Sequence, residues 1–133
     1  MIYFVAYIAA LVVFGILDAI WLSTMASRLY RPALGDTMLD KLRIAPALVF
    51  YLLYPVGIVV FAAMPAVQGA SAAIALSYGA LFGLLAYATY DLTNYATLRK
   101  WTLKLAVVDI VYGSVASSLM ALSAFQAVRW FVG

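Results

Sequence analysis

The chain contains no cysteine and no histidine, and it contains no glutamate either. Without cysteine there are no disulfides, no thiolate nucleophile and no cysteine-ligated zinc. Without histidine the usual general base and the commonest metal ligand are gone, and di-iron histidine-box chemistry is excluded. Charge is also scarce. Charged residues make up 10% of the 133 positions, against about 25% in a soluble domain. Such a chain has too few polar groups to cover a globular surface. The N-terminus, Met1-Ile2-Tyr3-Phe4, lacks a basic n-region, and its apolar run continues to about Met25. That run is too long for a signal-peptide core, so it reads as an uncleaved first span.

What is present is hydrophobic. Apolar residues make up 68% of the chain, and the mean hydropathy is +1.09. Four apolar runs are predicted as spans, at about 2–25, 44–64, 71–98 and 105–128. Each holds about 20 residues or more, enough to cross about 30 Å of hydrocarbon at about 1.5 Å per residue. The third is overlong and is expected to tilt or to emerge at its end. The runs are too long for barrel strands and lack period-two alternation. The expected fold is all-α: a polytopic membrane protein with one domain over 1–133, built as a four-transmembrane-helix bundle.

The connections set an orientation. Seven of the eight Lys and Arg residues lie in two of them: Arg28, Arg31, Lys41 and Arg43 in the first, and Arg99, Lys100 and Lys104 in the third. The middle connection, 65–70, is uncharged, and Arg129 is the one dissenting cation. The positive-inside rule places the two basic connections in the cytoplasm and both termini outside it. The net charge of +3 is thereby explained by topology, and nucleic acid is not expected as a partner. In the first connection Pro32 and Gly35 signal a turn, and Thr37 to Asp40 resembles a capping box heading a short interfacial helix. A faint repeat lays Asp18 on Asp91 and Tyr51 on Tyr112, suggesting two helical hairpins related in parallel.

Three aspartates, Asp18, Asp91 and Asp109, fall inside the predicted spans. A carboxylate at membrane depth costs several kcal/mol unless it is protonated, paired or wet, so each is a candidate functional residue. Counted from the basic ends of their spans, all three lie about 7–10 Å deep, as one layer. Trp21 follows Asp18 by three residues, Asn94 follows Asp91 by three, and Tyr112 follows Asp109 by three, a spacing that shares a helix face. Tyr87 precedes Asp91 by four, and Tyr51, Tyr54 and Pro55 lie on the second span. A lining of Asp, Asn, Thr and Tyr suits a small cation, a proton path or a polar lipid headgroup. The competing reading is that each aspartate bonds a neighbouring helix and fixes the bundle. Gly79 with Gly83, and Gly113 with Ser117, form small-xxx-small motifs that serve either packing within the bundle or a homo-oligomer.

The run Tyr90-Asp91-Leu92-Thr93-Asn94-Tyr95-Ala96-Thr97-Leu98, followed by Trp101, resembles the signature of a bacterial family of small four-helix membrane proteins of unknown function. Asp18-Ala19-Ile20-Trp21 and Asp109 before Tyr112-Gly113 resemble its other recurrent positions. The resemblance covers essentially the whole chain. It implies a multi-pass protein of the bacterial inner membrane whose first, third and fourth helices share a site, and it supplies no activity; no cofactor is expected. Three functions fit. The first is a small cation- or proton-coupled transporter or channel-like protein, acting as an oligomer. The second is a lipid-modifying enzyme at the cytoplasmic leaflet, with the aspartates holding Mg²⁺ and Arg28, Arg31, Arg99 and Lys100 holding a phosphate. The third is a membrane-embedded protein that binds a partner or an aromatic ligand in its Tyr- and Trp-rich interior.

Overall fold

The computed structural model describes residues 1–38 and 43–133. Four helical bodies are long and apolar enough to cross a membrane: Ile2–Thr37, Ile44–Gly69, Ala72–Thr97 and Leu103–Val132. The chain is an all-helical four-span bundle. We call the end carrying Arg28, Arg99 and Lys100 the basic end, and the opposite one the terminal end. Asp40 and Lys41, and with them the capping box ending at Asp40, lie outside the described residues.

Two spans run on past the expected boundaries, each through a widened turn. The first span is α1 (Ile2–Met25), a π turn (Ala26–Tyr30), α2 (Arg31–Leu34) and a 3₁₀ turn (Gly35–Thr37). The second is α3 (Ile44–Ile58), a π turn (Val59–Ala63) and α4 (Met64–Gly69). Each π turn is followed, one residue on, by a proline: Pro32 in one case, Pro65 in the other. Proline has no N–H to give the carbonyl four residues back. The helix absorbs the loss by widening, and Arg31 and Met64 reach five residues back, to the Ala26 and Val59 carbonyls. Pro32 and Pro65 therefore follow widened turns inside helices that the sequence signals suggested they would end. Gly35, at φ +54°, takes a backbone conformation that other residues rarely adopt and ends α2 ahead of the 3₁₀ turn.

The third and fourth spans, α5 (Ala72–Thr97) and α6 (Leu103–Val132), start at side-chain caps. Ser71 Oγ accepts from the Ile74 N–H at 3.3 Å, and Thr102 Oγ1 from the Leu105 N–H at 3.0 Å. Both satisfy a backbone donor that would otherwise be orphaned. These two helices form the longest seam of the bundle. A Cβ on Gly79 would stand 2.7 Å from the Ser117 carbonyl, and one on Gly83 2.5 Å from the Gly113 carbonyl. Both small-xxx-small motifs are thus consumed inside the bundle, where close backbone approach substitutes for the hydrophobic drive that lipid does not provide.

The fourth span also packs along the first. The second span is divided. From Val59 onward it packs against the other three spans, whereas α3 leans on the first span and meets the third through side chains, Tyr54 and Gly57 against Phe82 and Tyr54 against Tyr87, with few close backbone approaches. The larger apolar cluster, built around Phe14, Ile58, Met120 and Phe125, fills the terminal half. A smaller one, made of Leu29, Trp101, Leu105 and Ala106, closes the basic end. The three intramembrane aspartates lie between them.

Candidate functional site

A cavity of about 430 Å³ opens between the two clusters. Asp18 and Asp109 are on its wall, together with Trp21, Tyr112 and five further tyrosines: Tyr30, Tyr51, Tyr54, Tyr87 and Tyr90. The Asp18 carboxylate accepts from two hydroxyls, those of Tyr51 on the second span and Tyr112 on the fourth. One carboxylate thus ties three spans together. Asp109 accepts from the Tyr30 hydroxyl, and Tyr30 Oη in turn accepts from Trp21 Nε1 at 2.9 Å. The Trp21 ring stacks on Tyr112, with centroids 4.2 Å apart and planes 13° from parallel. Trp21 therefore joins the two corners, one through its ring and the other through its N–H.

Asp91 differs. It is completely buried, and neither carboxyl oxygen has a hydrogen-bond partner among the described residues. It does not line the cavity; its neighbour is the carboxyl of Asp109, within hydrogen-bonding reach provided that one of the two acids carries a proton. Desolvating an ionised carboxylate without a partner costs several kcal/mol. Two carboxyls side by side in a low-dielectric interior cannot both carry charge cheaply. The Asp91–Asp109 pair is therefore a place that calls for a proton or a counter-cation.

The rest of the wall is aromatic. Tyr54 is held by its hydroxyl to Ser117 Oγ at 2.6 Å. The Tyr87 ring packs on bare Gly113, where any side chain would collide with it. Among the described residues no Lys or Arg side chain lines the cavity. The rim residues Leu22, Phe50 and Tyr90 are exposed. Phe50 on α3 and Tyr90 on the third span belong to the cavity wall and are both exposed, so the wall reaches the outer surface of the bundle at these two spans.

The residues singled out from sequence divide accordingly. Asp18, Trp21, Asp109 and Tyr112 meet at the cavity, and Asp91 abuts it behind Asp109. Asn94 stands half-buried, about one turn nearer the basic end, and is not part of the wall. Thr93 turns outward, with its hydroxyl bonded to the Thr89 carbonyl of its own helix. Among the described residues no three carboxylates are grouped about one point; of the three aspartates, Asp91 and Asp109 are the pair that adjoin. Lys100 pairs instead with Asp36 at the exposed basic end. Sequence reasoning passed over Tyr30. The available signal was Pro32, two residues on, inside a segment that stays helical.

A family model described as "Predicted membrane protein (DUF2177)" matches residues 3–126. No curated protein and no solved structure gives a match.

Proposed function

We propose, for a chain that belongs to this family of membrane proteins, that it binds a cation at the Asp18–Asp109 cavity and exchanges it for a proton, as a small transporter of the bacterial inner membrane. The observation that carries the reading is Asp91, sealed, without a partner, and adjacent to an acid that faces the cavity. A cation held at Asp109 and a proton held on the Asp91–Asp109 pair compete for the same negative charge. Each therefore lowers the affinity for the other, and the linkage is reciprocal. Asp18 supplies the second point of attraction on the cavity wall. The basic end faces the cytoplasm in this reading, by the positive-inside rule, and both termini lie outside. Four helices leave little room for a complete passage, and association of copies would supply the rest of the wall.

The test is flux in proteoliposomes loaded with a pH-sensitive dye. A panel of cations (Na⁺, K⁺ and benzyltrimethylammonium) is added outside, and exchange is read as alkalinisation of the lumen. At least one cation should drive it in the wild type, and none in Asp91→Asn. If no cation moves protons in the wild type, or if Asp91→Asn exchanges normally, the reading is wrong.

A further inference from the structure

The cavity's lining is a poor match for a small inorganic ion. Na⁺ and Mg²⁺ bind where several oxygens converge at short range. This wall offers two separated carboxylates, each already accepting tyrosine hydroxyls. A volume of about 430 Å³ lies within the range of about 300–1,000 Å³ typical of pockets for drug-sized molecules. What the wall offers in quantity is aromatic face. The rings of Trp21 and Tyr112 lie nearly parallel. Tyr87 stands edge-on to both Tyr54 and Tyr112, at 83° and 79°, so aromatic groups meet the space from several directions. Faces of Trp and Tyr attract ammonium groups, more strongly when water is excluded, and aromatic cages of this kind hold quaternary ammonium. Among the described residues no Lys or Arg lines the wall, and there its two carboxylates have no cationic side chain as counter-charge. The exposed Phe50 and Tyr90 of the wall open the site to the bilayer, which concentrates amphipathic cations.

We propose that the ligand is a lipophilic organic ammonium, entering sideways between the second and third spans and held by the aromatic cage with Asp18 and Asp109 as counter-ions. The inference rests on the cation-binding reading above and adds the class of cation. The alkyl or aryl part lies against Phe50 and Tyr90, and the ammonium lies against Tyr87, Tyr112 and the carboxylates.

Calorimetry on the full chain in lipid nanodiscs tests it, with benzyltrimethylammonium as the probe and its uncharged carbon isostere, neopentylbenzene, as the control. The ammonium should bind saturably, and the isostere about tenfold or more weakly, because only the charge engages the rings and carboxylates. Tyr87→Phe keeps the ring and should keep the affinity. Tyr87→Leu removes it and should weaken binding about fivefold to tenfold. Asp18→Asn should weaken it by about tenfold. If Asp18→Asn does not remain monodisperse, the isostere and the Tyr87 pair decide. Equal binding of the isostere, or full affinity in Tyr87→Leu, overturns the ammonium cage. Proton exchange driven by Na⁺ or K⁺ without ammonium binding overturns the cage and leaves the transporter reading standing. No cation binding and no exchange overturns both.

Discussion

Asp18 and Asp91 are laid on each other by the faint internal repeat, yet their surroundings are opposite. Asp18 reaches the cavity and accepts hydroxyls from two other spans. Asp91 is sealed, with no hydrogen-bond partner among the described residues. The hairpins that carry them pack differently as well. The third and fourth spans close tightly over glycines, while the first and second meet much less extensively. The loose hairpin leaves room for a ligand and hydroxyls to shape it. The tight one excludes water and leaves a carboxyl with nothing but its acidic neighbour. In the proposed reading, recognition and charge coupling fall to different corners of one site.

The largest expected effect falls on the sealed corner. Asp91→Asn removes the exchangeable proton and should abolish exchange in the dye-loaded vesicles. Asp91→Leu should also be inactive, yet should match or exceed the wild-type thermal midpoint, because an apolar group replaces a desolvated, unpartnered one. A clear loss of stability in Asp91→Leu would mean the carboxyl has a partner after all.

Next comes the seam that puts Asp91 beside Asp109. Gly83→Val places a side chain against the Gly113 carbonyl and Ser117, and overpacking of this kind costs about 1–3 kcal/mol. Thermal unfolding in detergent should show it, whereas Gly15→Ala, at a position with nothing nearby, should show no loss of that size.

Smaller effects belong to the satisfied corner. Tyr51→Phe deletes one of the two hydroxyls on Asp18 and should cost about 1 kcal/mol in the same unfolding assay. Exchange should survive, since Tyr112 still donates. The smallest effect is expected far from both corners. Lys100→Ala breaks an exposed ion pair with Asp36, and surface pairs contribute little. Its thermal midpoint and exchange rate should match the wild type.

The four spans could be read from the sequence because uninterrupted apolar runs of this length have few other solutions. The spans' ends at Pro32 and Pro65 could not. A proline in a continuing apolar run either terminates a helix or widens one turn of it, and the choice depends on what packs alongside. That uncertainty hid Tyr30, which reaches Asp109 because the first span continues through its π turn. The Asp18, Trp21, Asp109 and Tyr112 grouping followed from depth and helical spacing. Asn94 shares the Asp91 face in spacing but lies about a turn away along the axis, where the cavity has closed. Nothing in residue type marked Asp91 as the acid without a donor; that depends on which hydroxyls the neighbouring spans bring to its depth.

The central claim is that a cation in the cavity displaces a proton held at Asp91 and Asp109. Proton release on cation binding, measured with the purified protein in weakly buffered solution, tests it most directly. Wild type should release about one proton per cation bound, and Asp91→Asn should bind the cation while releasing none. Equal release by the two proteins would contradict the account.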